Sequence, residues 1–218
     1  MPARLPLFPL NLVLYPGEPL PLHIFEPRYR QMLADCLAGD QRFGITAEPQ
    51  PRPGTLGCVA LIRAAQQLED GRSAIVVVGE RRFGVRSLLD AGTPYLMAAV
   101  EQFDDAPGTA PLPGEREELQ RLAAELRDAV SVLADRPGEA PRWSEDDEQF
   151  SFEAAALVET DVETRGRILA LRSTRERAAA LVAMLPAAVH SAKANAEVHV
   201  RARSNGKGHH GHDIVIGP

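Results

Sequence analysis

Short apolar runs broken by Gly, Pro and Asp fill the chain from Arg4 to Phe103. Runs of this kind are typical of β-strands joined by tight turns. The Asp70–Gly71 pair suits a hairpin turn, because both residue types tolerate positive φ. The predicted strands are Leu5–Leu14, Phe43–Thr46, Cys58–Leu68, Ser73–Val78, Phe83–Leu89 and Tyr95–Phe103. Several short strands with tight turns favour an antiparallel barrel or sandwich over residues 1–104.

One helix is predicted to interrupt these strands. Pro27 suits a first helical turn, because its missing N–H would have no partner there. Apolar side chains then follow at helical spacing, at Tyr29, Met32, Leu33 and Leu37. Gly39 is expected to end this helix.

The second half has a helical pattern. Asp104–Gly114 contains three prolines and two glycines, which marks a connection. An apolar stripe with i, i+3 and i+4 spacing follows and predicts a helix. The stripe consists of Leu119, Leu122, Leu126, Val130 and Leu133. After a polar linker at Asp135–Asp147, further helices are predicted at about Gln149–Glu159, Val162–Leu171 and Thr174–Leu185, within a helical subdomain at 115–186.

Pro186 is expected to stop the last helix, which begins at a capping box formed by Ser173 and Glu176. Residues 187–218 are predicted to be an appended or flexible tail, although Glu197–Arg203 alternates like a strand. The stretch from Gly206 to Gly211 matches G-x-G-x-x-G, but seven residues are too few to complete a dinucleotide-binding unit. A group of His209, His210, His212 and Asp213 can bind a metal in principle, and a polar tail is the favoured interpretation.

Composition narrows the classes of function. The chain has a formal charge of -6, which makes nucleic acid an unfavoured partner because phosphate binding requires clustered cations. Prolines interrupt the apolar N-terminal region, and no apolar run is long enough for a membrane span. Cys36 and Cys58 are interpreted as buried thiols in a reducing compartment. These features predict a cytoplasmic protein without membrane contact.

Motifs for catalysis are missing from the sequence. It contains no phosphate-binding G-x-x-x-x-G-K-[ST] loop and no G-x-S-x-G nucleophile elbow. The acidic run Glu145–Glu148 lacks the spacing of a calcium loop. We therefore expect no enzymatic activity, no cofactor and no metal.

Two N-terminal motifs carry a resemblance to a known family. Leu5–Gly17 (LPLFPLNLVLYPG) is followed by Pro21–Tyr29 (PLHIFEPRY), and Val78–Val85 (VGERRFGV) forms a third match. These segments resemble the Lon N-terminal, substrate-binding domain family, especially its free-standing bacterial members. With the strand at Tyr95–Glu101 and the later helices, the likeness covers about Arg4–Leu185.

The resemblance implies a mixed α+β fold, with a PUA-like antiparallel β-barrel that contains an inserted helix, followed by an α-helical bundle. In Lon proteases this region helps recognise protein substrates, while separate ATPase and serine–lysine protease domains degrade them. The resemblance therefore implies a non-catalytic protein-binding module and an adaptor role in protein quality control. Expected partners are unfolded or specific protein clients, with a protease or a chaperone as a further partner. The oligomeric state stays open.

The proline-rich loop is the predicted polypeptide-binding segment. Its candidate residues are Tyr15, Pro16, Pro19, Leu20 and Pro21. This loop, the groove between the halves and an exposed strand edge can accept an extended polypeptide by strand addition or by side-chain burial. The remaining motif residues are interpreted as structural, namely Pro6, Phe8, Pro9, Phe25, Glu26, Arg28, Tyr29, Arg82 and Phe83.

Two other functions compete with this interpretation. PUA-like barrels elsewhere bind RNA, and Arg81, Arg82 and Arg86 form a local basic run despite the acidic charge of the chain. An unrecognised hydrolase would require titratable groups that converge in the cleft between the halves.

Overall fold

The computed structural model describes residues 3–134 and 143–205 of the 218-residue chain. Its strands are β1 (Ala3–Pro9), β2 (Pro19–Ile24), β3 (Arg42–Thr46), β4 (Leu56–Gln67), β5 (Ser73–Leu89) and β6 (Leu96–Phe103). Its helices are α1 (Pro27–Ala38), α2 (Pro113–Leu133), α3 (Asp147–Ala156), α4 (Val162–Ala170) and α5 (Thr174–Asn205). The predicted mixed α+β class is confirmed. The His-rich segment at 206–218 and most of the predicted polar linker lie outside the described residues.

The six strands form one sheet in the order β2-β5-β4-β3-β1-β6, and β6 also pairs with β5. Five of the six described pairings are antiparallel, as predicted, and β1 with β3 is parallel. The parallel pair is possible because β2 and α1 form a long crossover between the two strands. The long strand β5 thus has β4 on one side, and β2 followed by β6 on the other.

Strand β1 explains how the sheet tolerates Pro6 and Pro9. Ala3–Leu7 pairs with β6, whereas Leu7–Pro9 pairs with β3. Each proline therefore lies in a part of the strand that is paired on one side only, where a missing N–H costs no ladder hydrogen bond.

Several predicted boundaries are wrong in the β half. The predicted strand Leu5–Leu14 ends at Pro9, and two predicted strands form the single strand β5. Gly79 lies inside β5 and does not form a turn. A Cβ atom at Gly79 would lie 2.1 Å from the carbonyl oxygen of Tyr15, so glycine is needed there for close backbone approach.

The largest error in the helical half concerns α5. This helix continues through Pro186 to Asn205, so the prediction that Pro186 ends it is wrong. Residues 187–205 therefore belong to α5, and the predicted strand at Glu197–Arg203 is helical. Val189 and Ala192 bury their side chains on the helical core, which extends the helix beyond the proline.

The core has three clusters of buried side chains. One fills the space between α1 and the inner face of the sheet, and a smaller one lies around Phe83. The largest cluster joins α2, α3, α4 and α5, and it also contains Val13 and Tyr15 from the first half of the chain. The two halves therefore share a core.

Candidate functional site

The first part of the predicted binding loop is buried between the two halves. Tyr15 is fully buried, its ring centroid lies 5.6 Å from that of Phe152, and its hydroxyl donates to the Arg165 carbonyl oxygen at 3.2 Å. Burial raises the pKa of the Tyr15 phenol, which stays protonated. Pro16 is buried as well. Tyr15 connects the halves, and both side chains are buried away from any ligand in this structure.

A charged pair holds the turn that follows. Gly17 adopts a φ of 77°, and Glu18 accepts a hydrogen bond from Tyr15 N at 2.9 Å. Arg165 of α4 donates to Glu18 at 2.6 Å and lies over the Tyr15 ring. The same guanidinium donates to the Val13 carbonyl oxygen at 3.0 Å. Contacts with Arg165 thus join this turn to the helical half.

The second part of the predicted loop is strand β2, which lies at the edge of the sheet. Gly79 N–H donates to the Glu18 carbonyl oxygen at 3.0 Å, which sets the hydrogen-bond alternation of the strand. By this alternation the nitrogen atoms of Pro19 and Pro21 face the outer edge. Pro19 and Pro21 are exposed, and Leu20 is half-buried against the α1 core.

The outward residues that lie in register across β2, β5 and β4 are uncharged. Directly paired residues project to the same face of a sheet, so the pairing register gives three rows of outward side chains. These rows are Pro19, Val78 and Leu61; Pro21, Val76 and Ala64; and His23, Ala74 and Gln66. None of the nine is Asp, Glu, Lys or Arg, and Val76 is 39% exposed. We call this surface the outer face.

The outer face was not predicted from the sequence. Val76, Val78 and Leu61 were assigned to strands without a direction. The signal lies in Ile75–Val78, where four consecutive apolar residues leave no polar position on either side of the strand. Such a run indicates a strand that is covered on both faces. In this structure one of those faces is open.

Phe25 extends the row of exposed residues along β2. Its side chain is 61% exposed directly after the strand, so packing does not account for it. The neighbouring motif residues differ: Tyr29 is buried with its ring 4.2 Å from Phe8, while Arg28 donates to Glu26 at 3.0 Å on the surface. The motif therefore contains packed residues and one exposed aromatic ring.

A buried ion cluster forms the second link between the halves. Arg82 of β5 and Arg177 of α5 are both fully buried, and both donate to Asp105, at 2.5 and 2.6 Å. Arg82 also donates to Glu148 of α3 at 2.8 Å. Burial opposes ionisation of Asp105, but hydrogen bonds from Arg177 and Thr174 outweigh it, and the pKa of Asp105 lies below its ordinary value. The buried guanidinium of Arg82 thus joins β5 to Asp105 and to α3.

Phe83 also has a structural environment. The side chain is fully buried, and its ring lies against Gly44 and Gly57. A Cβ atom at Gly57 would lie 2.6 Å from the Phe83 ring and 2.3 Å from the Ile45 carbonyl oxygen. The glycines therefore make room for this ring.

The cleft between the halves has a volume of about 580 Å³ and is lined by Arg81, Arg86, Phe103 and Arg172 among others. Two of its arginines are neutralised, Arg81 by Asp104 at 2.9 Å and Arg86 by Glu101. Arg82, the third member of the predicted basic run, is buried. The run therefore does not form a cationic patch of the kind that binds RNA.

The described part of the chain offers neither an ionised thiol nor a cluster of metal ligands. Cys36 and Cys58 are buried, and burial raises the pKa of both thiols, to about 12 for Cys36. Neither is a thiolate at neutral pH. Within 3–134 and 143–205, no group of three His, Cys, Asp or Glu side chains is arranged to hold a metal ion. In the same ranges, no helix is both long and apolar enough to cross a membrane.

Comparison with known proteins agrees with the fold. The chain is 20% identical over 94% of its length to Lon protease of Cytophaga hutchinsonii, and it spans 26% of that protein. It is 32% identical over 46% of its length to Lon protease of Roseiflexus castenholzii, and spans 13% of it. The chain thus spans about a quarter or less of the curated relatives it matches.

Solved structures show the same fold. A Lon N-terminal domain protein from Xanthomonas campestris superposes with a TM-score of 0.63 at 22% identity, covering 83% of this chain and 98% of that one. The N-terminal domain of a Mycobacterium avium complex Lon protease gives 0.62 at 16% identity, with coverages of 84% and 98%. Residues 4–186 match the family described as the ATP-dependent protease La (LON) substrate-binding domain. The chain therefore belongs to the LON substrate-binding domain family.

Proposed function

We propose that this protein binds unfolded or specific protein clients through the outer face and does not cleave them. The observation that carries the proposal is the uncharged surface of Pro19, Pro21 and Val76, which continues to the exposed ring of Phe25. Soluble proteins rarely expose contiguous apolar surface unless it binds something. The family match supports a polypeptide as the ligand, because the matched domain binds the substrates of Lon.

The outer face favours a binding mode in which client side chains are buried over one in which the client adds a strand to the sheet. An added strand needs alternating N–H and C=O groups along the free edge of β2. The backbones of Pro19, Pro21 and His23 face that edge. The two prolines have no N–H, so only His23 offers a donor there. A client segment would therefore lie across the face and bury apolar side chains. We expect modest affinity, because an unfolded segment loses conformational entropy on binding.

The wider role is a further part of the proposal. We infer a non-catalytic adaptor that works in the cytoplasm and passes clients to a protease or chaperone. The buried, protonated thiols of Cys36 and Cys58 support a reducing environment and give no nucleophile. The closed series of strand pairings supports a PUA-like barrel, and the shared core of α2, α3 and α5 supports a helical bundle.

The test is a binding measurement with a permanently unfolded probe, namely fluorescein-labelled α-lactalbumin that has been reduced and carboxymethylated. Fluorescence anisotropy gives its dissociation constant for the wild type and for Val76→Asp. A carboxylate in the middle of the face must be desolvated when an apolar segment binds. We expect Val76→Asp to weaken binding at least about tenfold, which corresponds to roughly 1.4 kcal/mol.

Leu88→Asp is the matched control. Leu88 lies on the same strand, is 45% exposed, and is remote in register from the outer face because it pairs with Ala98 of β6. Its substitution changes the charge by the same amount and removes more exposed apolar area, because Leu88 is 45% exposed and Val76 is 39% exposed. Equal loss of binding in the two variants, or unchanged binding in Val76→Asp, would rule out the outer face as the client site.

A further inference from the structure

The cleft between the halves contains a cation that is not neutralised by a neighbouring carboxylate. Arg172 lines this cleft together with Arg81 and Arg86. Arg81 is paired with Asp104, and Arg86 is paired with Glu101. Arg172 forms no ion pair with the described part of the chain, and its side chain is exposed. Its guanidinium is therefore available to an anionic ligand.

The backbone that carries Arg172 is fixed from both sides. The carbonyl oxygen of Leu171 accepts a hydrogen bond from the buried guanidinium of Arg82 at 2.5 Å. The carbonyl oxygen of Arg172 accepts from the N–H of Ala106 at 2.8 Å. The Arg172 guanidinium lies over the Phe103 ring, 5.4 Å from its centroid. Hydrogen bonds and an aromatic ring thus hold this cation at the cleft.

The charges around the cleft favour a ligand with a single negative charge. The two surface pairs are neutral, and in the buried cluster the carboxylates of Asp105 and Glu148 balance two guanidiniums. Arg172 is thus the excess cation among these groups. A planar guanidinium can hold one carboxylate through two parallel hydrogen bonds. A phosphate or a polyanion would instead meet the exposed carboxylates of the surface pairs in the same cleft.

We propose that the cleft binds the carboxyl terminus of a polypeptide, with the terminal carboxylate on Arg172. The lining also offers partners for the rest of a chain end. Leu56, Phe103 and Ala170 provide apolar surface for the last side chain. The carboxylate of Glu101 can accept N–H groups that precede the terminus. The volume of about 580 Å³ is typical of sites for small ligands, so it suits a chain end better than a long segment.

This site is separate from the outer face. The cleft is lined by Leu56 and Gly84, which pair with each other. Gly84 and Val76 of the outer face are roughly 26 Å apart along β5. The proposal for the cleft therefore does not depend on client binding at the outer face. A polypeptide can contact the outer face through an internal segment and the cleft through its end.

A pair of short peptides tests the proposal with the full chain. The probe is the hexapeptide Gly-Ser-Gly-Ser-Ala-Leu with fluorescein on its amino terminus, and fluorescence anisotropy gives its dissociation constant. Its partner has the same sequence with an amidated carboxyl terminus, which removes the negative charge. We expect amidation to weaken binding by about fivefold or more. Equal affinities of the two peptides would overturn the proposal.

The matched protein variants are Arg172→Met and Arg175→Met. Arg175 is a nearby arginine whose side chain is 51% exposed, and it pairs with Glu115 outside the cleft. We expect Arg172→Met to weaken binding of the free-terminus peptide about fivefold or more, and Arg175→Met to change it less than about twofold. Equal losses would show that only the net charge of the protein matters, which would contradict a site at Arg172.

The Val76→Asp variant separates this proposal from the one for the outer face. It should bind the free-terminus hexapeptide as the wild type does. A large loss would place the peptide on the outer face and overturn the assignment to the cleft. The result with unfolded α-lactalbumin is read from a different probe, so either proposal can fail while the other stands.

A third peptide distinguishes a chain end from an acidic side chain. It is amidated and has Glu in place of its internal Gly, so it carries a carboxylate away from the terminus. We expect it to bind no better than the amidated parent. Affinity equal to that of the free-terminus peptide would contradict the proposal.

Amide NMR of the wild type needs no substitution. The free-terminus peptide should shift the signals of Gly84 and Phe103, and the amidated peptide should leave them in place. Shifts confined to β2 would overturn the proposal.

Discussion

At the scale of single residues, Asp105 has the most demanding environment. It accepts hydrogen bonds from two fully buried guanidiniums, those of Arg82 and Arg177. Thr174 also donates its hydroxyl to this carboxylate. A buried charge without its partner is costly, whereas the complete cluster is roughly balanced. Substitution of Asp105 should therefore cause a large loss in the free energy of unfolding.

We predict that Asp105→Asn lowers the free energy of unfolding by about 3–5 kcal/mol, because the neutral amide leaves two buried cations with only Glu148 as a counter-charge. Urea unfolding at pH 7 measures the change. The adjacent Asp104→Asn is the control, since Asp104 is exposed and pairs with exposed Arg81. Its substitution should cost less than about 1 kcal/mol. Similar losses in both variants would contradict a special role for Asp105.

The difference in stability between the wild type and Asp105→Asn is predicted to depend on pH. The pKa of Asp105 is lowered in the folded state, so its stabilisation is complete above the ordinary value of 3.8 and is lost as pH falls through the folded value. The difference in unfolding free energy between wild type and Asp105→Asn should therefore narrow below about pH 4. A difference that widens on acidification would contradict the assigned direction.

Residue roles were only partly predictable from the sequence. The motif identified Arg82 as structural, but its partners Leu169 and Glu148 lie 87 and 66 positions away in the chain. Periodicity carries no information about such distant contacts. Tyr15 and Phe25 show the same limit, because burial of one and exposure of the other depend on how the halves pack.

At the scale of elements, α5 shows tertiary packing that overrides a local signal. Proline inside a helix removes one hydrogen bond and costs roughly 3 kcal/mol. The residues beyond Pro186 offset that cost, since Val189 and Ala192 are buried on the helical core. Pro186 itself is exposed, so its ring displaces no core side chain.

We predict that Pro186→Ala raises the free energy of unfolding by about 1–3 kcal/mol, because alanine restores an N–H that can donate to the carbonyl oxygen of Val182. Thermal and urea unfolding report the gain. Ala187→Pro, at the next exposed position of α5, should instead destabilise the protein. A loss of stability in Pro186→Ala would mean that the packing of Leu185 and Val189 requires the proline.

The types of the helices and strands were more predictable from the sequence than the residues at which they begin and end. Helices α1 and α2 follow from their apolar stripes, because each has one buried face. The alternation at Glu197–Arg203 indicated a strand, yet a helix that is already formed propagates cheaply through a short ambiguous sequence. The two prolines of β2 predict a loop, because proline is tolerated in a strand only at a sheet edge, and the edge position is a property of the whole sheet.

At the scale of the whole molecule, the two halves are interlocked. Val13 and Tyr15 fill the helical core, while Arg82 reaches from β5 to carbonyl oxygens of Leu169 and Leu171. Neither half can unfold without exposing apolar surface and buried charge of the other. The sheet and the helices thus share buried contacts that favour cooperative unfolding.

We predict a single unfolding transition for the chain. Trp143 is the only tryptophan and its ring packs against Phe150 of α3, so its fluorescence reports on the helical half. Amide NMR signals of β4 and β5 report on the sheet. The two urea curves should have the same midpoint. Two separated midpoints would show that the halves unfold independently.

The prolines of β2 affect whether copies of this protein can associate through their sheet edges. An open sheet edge beside an apolar face is the arrangement from which cross-β fibrils grow, since each added chain templates the next. Along this edge Pro19 and Pro21 supply no N–H, so a neighbouring molecule cannot complete the ladder. Their pyrrolidine rings remain exposed as apolar surface. We therefore expect the protein to expose this apolar surface in a crowded solution without seeding its own polymerisation.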